Sequence, residues 1–176
     1  MDYAKGGDLL TLTKSKGRLS EAEARPIFRQ ILFGLAHIHC RSVVHRDIKL
    51  DNILLFNDDN HQTGGTVRVK ICDFGVSKIF KKGSLMADQC GTPAYLAPEI
   101  VQNKSYSGFQ VDIWSLGVLL FGILCGHLPF KAPTLAELHK QISKGAYFYS
   151  VNLSSEAQNL IANLIRVRPD ERLTIP

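Results

Sequence analysis

The chain has 176 residues, 45% of them hydrophobic, with 21 Lys and Arg against 16 Asp and Glu and a formal charge of +5. That length and apolar share provide for one folded domain with a real core and exclude a disordered chain. The basic residues are scattered rather than gathered into a patch, so no nucleic-acid partner is expected. The longest apolar stretch, 113–126, is shorter than the ~20 residues a bilayer demands and follows Asp112 directly, so it predicts a buried helix and no membrane partner. Cys40, Cys72, Cys90 and Cys125 show neither paired nor metal-ligand spacing, and no charged-then-apolar leader precedes the first element. Both features predict reduced thiols in an intracellular, cytoplasmic or nuclear protein.

In chain order, Ser20-x-x-Glu23 reads as a capping box, and Ile27, Ile31, Leu35 and Ile38 recur at helical spacing, so a long amphipathic helix is predicted toward Cys40, with Pro26 as a candidate kink. A strand at Ile53-Leu54-Leu55-Phe56 is followed by the polar stretch 57–65 and a partner strand on which Val67, Val69 and Ile71 alternate. A helix beginning at Asp112 runs to Gly126. Thr134-x-x-Glu137 opens another, and Ser154 or Ser155 a third carrying Leu160, Ile161, Leu164 and Ile165. No internal repeat is present. The expected fold class is α+β, mainly α-helical, with short β-hairpins.

The chemistry concentrates in His45-Arg46-Asp47-Ile48-Lys49-Leu50-Asp51-Asn52, followed beyond the hairpin by Asp73-Phe74-Gly75. Phosphoryl transfer needs a base within reach of a hydroxyl, a cation on the moving phosphate, and hard oxygen ligands for magnesium. Asp47, Lys49, Asn52 and Asp73 are of the right types for those four roles. Asp47 alone would read as a turn aspartate, because Asp favours turns for local hydrogen-bonding reasons. Lys49 and Asn52 at fixed offsets weigh against that reading.

With Ala97-Pro98-Glu99 closing the segment that Asp73 opens, these motifs resemble the eukaryotic protein kinases. Lys49 and Gly91-Thr92-Pro93-Ala94-Tyr95 place the resemblance with the serine/threonine type, and Ser84-Leu85-Met86 before Cys90 with the checkpoint-kinase branch of the calmodulin-kinase-like group. The motifs found belong to that family's C-terminal lobe. No Gly-x-Gly phosphate loop occurs, Met1-Asp2-Tyr3-Ala4 resembles the hinge between lobes, and residues 172–176 resemble the stretch before the last family helix. Residues 1–176 are therefore expected to be a partial kinase domain, without its N-terminal lobe.

The resemblance implies ATP and magnesium as cofactors, with Asp47 as base, Lys49 on the phosphate, Asn52 and Asp73 on the metal, and Asp2, Ala4, Asp8 and Leu54 around the nucleotide. It implies structural roles for the Glu99–Arg172 ion pair and for Asp112, which in the family holds the catalytic-loop backbone. It gives His45, Phe74, Leu54 and Leu9 places in an apolar stack joining the lobes, which would leave an exposed apolar patch on this lobe alone.

In many members, the position of Asp88 is a threonine whose phosphate pairs with the residue matching Arg46. Here a carboxylate is already present, with Lys78 as a second partner, while Thr92 is expected to hydrogen-bond Asp47 and Lys49. Asp8, and more weakly Asp51, imply a protein substrate with a basic residue, usually Arg, before its Ser or Thr. The partner of Asp51 in the family is replaced by Gly122. Two functions compete: an Arg-directed serine/threonine kinase lobe, inactive without its other lobe, and a non-catalytic module that competes for substrates or regulators. The sequence does not define an oligomeric state.

Overall fold

The structure, a computed structural model, describes residues 6–57, 67–81 and 83–175. The expected positions Asp2 and Ala4, and most of the polar stretch 57–65, lie outside the described residues. What is described is a helical body carrying two two-stranded antiparallel sheets.

Its axis is α4 (Gly108–Cys125), in which every residue from Val111 to Cys125 is buried. This helix is long and apolar enough to cross a membrane by length and composition, but 89% of it is packed inside the protein. It starts four residues before the expected Asp112. Because it is apolar all round, no amphipathic stripe marks its first turn. Gly117 lets α6 (Ser155–Leu164) lie against it, since a Cβ there would sit 2.7 Å from Leu164 Cβ.

The expected capping box opens α2 (Glu21–Cys40): Ser20 N donates to Glu23 Oε2 at 2.9 Å, and Glu23 N donates to Ser20 Oγ at 3.3 Å. Pro26 lies in the second turn, and the helix runs through it to Cys40. Ile27, Ile31 and Leu35 form the buried stripe. The hairpin forms in the expected register, β2 (Ile53–Asn57) on β3 (Val67–Ile71), with Ile53 opposite Ile71 and Asn57 opposite Val67. Gln30 on α2 extends β3 sideways, donating to Val67 O at 2.8 Å and accepting from Val69 N at 3.0 Å. α5 (Leu135–Lys144) begins at Thr134, and α6 takes Ser154 rather than Ser155 as its cap.

Four helices and strands lie outside the sequence expectation. Asp8 caps α1 (Leu9–Lys16), accepting from Thr11 N at 2.7 Å. β1 (Val43–Val44) pairs with β4 (Lys78–Ile79), a two-residue ladder too short to leave an alternating pattern. α3 (Pro98–Val101) is a single turn.

Among the described residues, the four stack positions expose little of the anticipated apolar patch. Leu9 and His45 are fully buried within this lobe, Leu54 is half-buried, and only Phe74 is exposed, edge-on to His45 at 4.9 Å between ring centroids.

Glu99 and Arg172 join α3 to the end of the chain. Arg172 donates from both terminal nitrogens to the two Glu99 carboxylate oxygens at 2.7 Å each, and its guanidinium also reaches Arg166 O and Gln110 O at 2.8 Å and lies over the Trp114 ring. Both side chains are nearly inaccessible to water. Removing one partner leaves a buried charge uncompensated, at a cost of about 3–5 kcal/mol. Arg172→Leu is expected to lose that much stability in urea unfolding, and a loss under about 1 kcal/mol, the range of a solvated pair, would contradict the reading.

Candidate active site

The catalytic-loop candidates occupy 45–52, between β1 and β2, where the backbone is held from below by one carboxylate. Asp112 is fully buried. Its Oδ1 accepts from Arg46 N at 2.8 Å, and its Oδ2 accepts from His45 N at 2.9 Å and bonds His39 Nε2 at 2.8 Å. From its place one turn inside α4, Asp112 fixes the loop rather than capping the helix. These bonds hold Arg46 at φ 68°, a left-handed conformation that costs a non-glycine residue about 1–2 kcal/mol. His45, buried beside it, reaches Cys72 O through Nε2 at 3.0 Å and so joins the loop to the stretch before Asp73.

Asp47 then lies among three groups that favour its charged form. Lys49 Nζ is 2.8 Å from Oδ2, while Thr92 N and Thr92 Oγ1 donate to Oδ1 at 2.9 and 2.8 Å. Burial by itself would push the Asp47 carboxyl up, but the Lys49 ammonium and the two Thr92 donors more than offset it and hold the carboxyl below its ordinary value. The same contact raises Lys49, with burial opposing. Lys49 Nζ also donates to Thr92 Oγ1 at 2.9 Å. Asp47, Lys49 and Thr92 thus form one triangle, although Thr92 is 45 residues from Asp47 in sequence.

Gly91 makes that approach possible. Its φ is 112°, and a Cβ there would lie 2.7 Å from Arg46 O, so a side chain at this position would drive the segment off the catalytic loop.

Asn52 is buried at the start of β2. Its Nδ2 donates to Asp47 O at 2.8 Å, which turns the amide oxygen away from Asp47. Cys72 N donates to Asn52 O at 2.9 Å across the hairpin, bringing the adjacent Asp73 alongside. Asp73 is exposed and has φ 62°, with Gly75 N donating to Oδ1 at 3.2 Å. A second left-handed non-glycine residue within the candidate constellation is the kind of local strain that clusters at functional sites. Neither φ value was legible from the sequence. The donor set of one amide oxygen and one carboxylate, hard and short of a full coordination shell, fits magnesium shared with phosphate and water.

The remaining positions divide. Asp8 and Leu54 face one another across an antiparallel bridge, flanked by Gly6 N to Leu55 O at 3.0 Å and Leu55 N to Gly7 O at 2.9 Å. One carboxylate oxygen of Asp8 is committed to capping α1, so the expected two-oxygen grip on a guanidinium is reduced to what Oδ2 supplies. Asp51 is exposed near Lys49. Gly122 is buried, and a Cβ there would meet Leu128 and Leu50 at 3.3 and 3.5 Å, so that flank is apolar. Asp88 bonds Lys78 Nζ at 2.7 Å and Arg46 Nη1 at 3.3 Å. A cavity of about 620 Å³ lies elsewhere, between α2, α4 and α6 near Leu32, Leu120 and Leu160.

The protein kinase domain family matches residues 1–176. The chain is 42% identical over 175 residues to the serine/threonine protein kinase OSK3 of Oryza sativa subsp. indica, and equally to OSK4 of the same source, covering 99% of this chain and 33% of each relative. It is 39% identical over 174 residues to the serine/threonine-protein kinase SIK3 homolog of Danio rerio, covering 99% of this chain and 14% of that protein. The chain belongs to the protein kinase family. It spans about a third of the length of the rice relatives and carries the α+β lobe expected from its motifs.

Two consequences are measurable. Asp112→Asn places an N–H₂ against donors and should cost about 1–3 kcal/mol, with faster hydrogen exchange at the His45 and Arg46 amides; unchanged exchange there would contradict the anchoring role. Because the Asp47 carboxyl is depressed in the fold, its contribution to stability is complete above its unfolded pKa and lost as pH falls through the folded one. Thr92→Ala moves that folded value back up. The stability gap between wild type and Thr92→Ala is therefore expected in full at neutral pH and should narrow as the pH falls through the folded pKa of Asp47, and a pH-independent gap would contradict the assignment.

Proposed function

We propose that this chain is the catalytic lobe of an ATP-dependent serine/threonine protein kinase. The observation that carries the reading is the triangle of Asp47, Lys49 and Thr92 above Asn52 and Asp73. In it a base, a cation and a pair of oxygen ligands converge from three separate stretches of sequence.

In this account Asp47 orients the substrate hydroxyl and takes its proton as the oxygen attacks the γ-phosphorus. Lys49 places its charge on the transferring phosphoryl group and, bonded to Asp47 beforehand, needs no reorganisation to reach the reacting region. Asn52 and Asp73 would hold magnesium. When bound, the metal neutralises charge on the phosphates. Thr92 fixes the rotamer of Asp47, and Asp112 fixes its backbone. Asp8 and Leu54 line the nucleotide side, and the expected Asp2 and Ala4 lie outside the described residues. The glycine-rich loop and strand lysine of the family come from an upstream lobe, so transfer belongs to a chain in which that lobe is present.

The substrate preference is for a basic residue, Arg above all, before the target Ser or Thr. Asp8 supports this with its second oxygen and Asp51 with an exposed carboxylate, whereas the apolar flank at Gly122 weighs against a strong second basic contact. The protein acts inside the cell.

In the full-length protein, Asp47→Asn is expected to lower kcat about 10²–10⁴-fold with Mg-ATP and a Ser peptide, leaving the melting transition close to wild type. An unaltered kcat would refute the role of Asp47. Replacing the upstream Arg of the peptide with Ala should raise KM, and indifference would refute the basic preference alone.

A further inference from the structure

The hairpin that begins at Asn52 and ends beside Asp73 has only two strands, and a two-stranded ribbon is marginal in water unless a further element covers it. Beyond the end of β3, Cys72 N faces β2 and donates to Asn52 O at 2.9 Å. Backbone polar groups alternate along a strand, so those of Val67, Val69 and Ile71 face the other way.

Gln30, half-buried on α2, occupies that outer edge. Its Nε2 donates to Val67 O at 2.8 Å and its Oε1 accepts from Val69 N at 3.0 Å, the pair of bonds that a residue on a neighbouring parallel strand would make. Nε2 also donates to Pro26 O at 3.3 Å, one turn back on the helix. Two carbonyls that only accept and one N–H that only donates leave a single orientation for the amide. One turn further along α2, Gly34 leaves room for Ile71, since a Cβ there would lie 3.1 Å from Ile71 Cδ1. Strand β3 is therefore fixed along α2 by bonds near its start and by packing at its end.

Resting on the kinase reading, we propose that Gln30 is a positioning residue for the magnesium site. It belongs to none of the motifs that carry chemistry, and it acts through β3 by setting Asp73 against Asn52.

The path is short. Ile71 closes β3, and Cys72 follows, its N–H on Asn52 O and its carbonyl on His45 Nε2 at 3.0 Å. Asp73 comes next at φ 62°, a conformation that a non-glycine residue keeps only where its surroundings over-determine it. Asn52 and His45 hold Cys72 from one side, and Gln30 keeps the strand behind it from sliding on the other. Without the amide, Val67 O and Val69 N lose their partners, and the strand shifts to recover them from water, carrying Asp73 with it. Magnesium demands near-octahedral geometry, so a carboxylate and an amide oxygen that share one ion tolerate little change in their separation.

The test compares full-length wild type with Gln30→Met, which keeps the length of the side chain and removes both bonds. Thr134→Ala, which takes the N-cap oxygen from Glu137 N on α5, controls for a general loss of stability. In Gln30→Met the Val69 and Cys72 amides should exchange hydrogen faster than in wild type or Thr134→Ala, a readout that needs no activity. The Kd for Mn²⁺ in the presence of a nucleoside triphosphate should rise about tenfold, the low end of what a metal site loses with an outer support, while KM for the peptide stays unchanged. Thr134→Ala should alter neither Mn²⁺ affinity nor exchange at Cys72.

Faster exchange with unaltered Mn²⁺ affinity would make Gln30 a brace for the fold alone and overturn the positioning role, as would an equal loss of affinity in Thr134→Ala. Equal exchange and equal affinity in wild type and Gln30→Met would overturn the proposal while leaving the kinase reading intact. Wild type that holds no Mn²⁺ beyond what the nucleotide binds by itself would overturn the kinase reading, and the proposal with it.

Discussion

One buried carboxylate underlies the whole arrangement. Asp112 is fully buried on α4 and gives both oxygens to the backbone of His45 and Arg46 and to His39. A lone ionised group at that depth would be prohibitive, so the loop that satisfies it cannot leave without stranding it. The helix is held by the core, the loop is held by the helix, and the strained φ of Arg46 persists because the surroundings over-determine it. From that fixed point Asp47 rises on one side, and Arg46 reaches the segment on the other. The chain's second buried ionic device, Glu99 with Arg172, holds the far end of the same segment. The reacting region therefore hangs between two anchors and is positioned by neither alone.

Electrostatics and geometry are coupled here in a way that a list of site residues does not convey. The Asp47 carboxyl is kept charged by Lys49 and Thr92 against the pull of burial, and Lys49 is kept charged by Asp47. Each partner thus holds the other in its charged form. Preorganisation of this kind needs Thr92 within hydrogen-bond range, which in turn needs a glycine at 91.

Much of this was legible in the sequence, and the limits have physical causes. Capping boxes announce themselves locally, so the starts of α2, α5 and α6 could be read to within a residue. The β2–β3 hairpin could be read because its strands are long enough to alternate. A helix buried on all sides has no apolar face to find, so α4 was placed to begin at Asp112, one turn late. Asp8 follows two glycines and was read as a ligand contact, but its shorter-range task is to cap α1. The two-residue strands β1 and β4 leave no period at all. Within the site, residue types and offsets pointed to Asp47, Lys49, Asn52 and Asp73 together. The left-handed backbone at Arg46 and Asp73 and the bracing of β3 by Gln30 depend on contacts between distant stretches, and no local pattern encodes them.

The central claim is that Asn52 and Asp73 face one metal–phosphate site beside Asp47. Paramagnetic Mn²⁺, added with a nucleoside triphosphate to the isotopically labelled full-length protein, tests it most directly. The account predicts selective broadening of the resonances of Asn52, Asp73 and Asp47, with α5 and α6 unaffected. Broadening centred elsewhere, or none at saturating nucleotide, would contradict it.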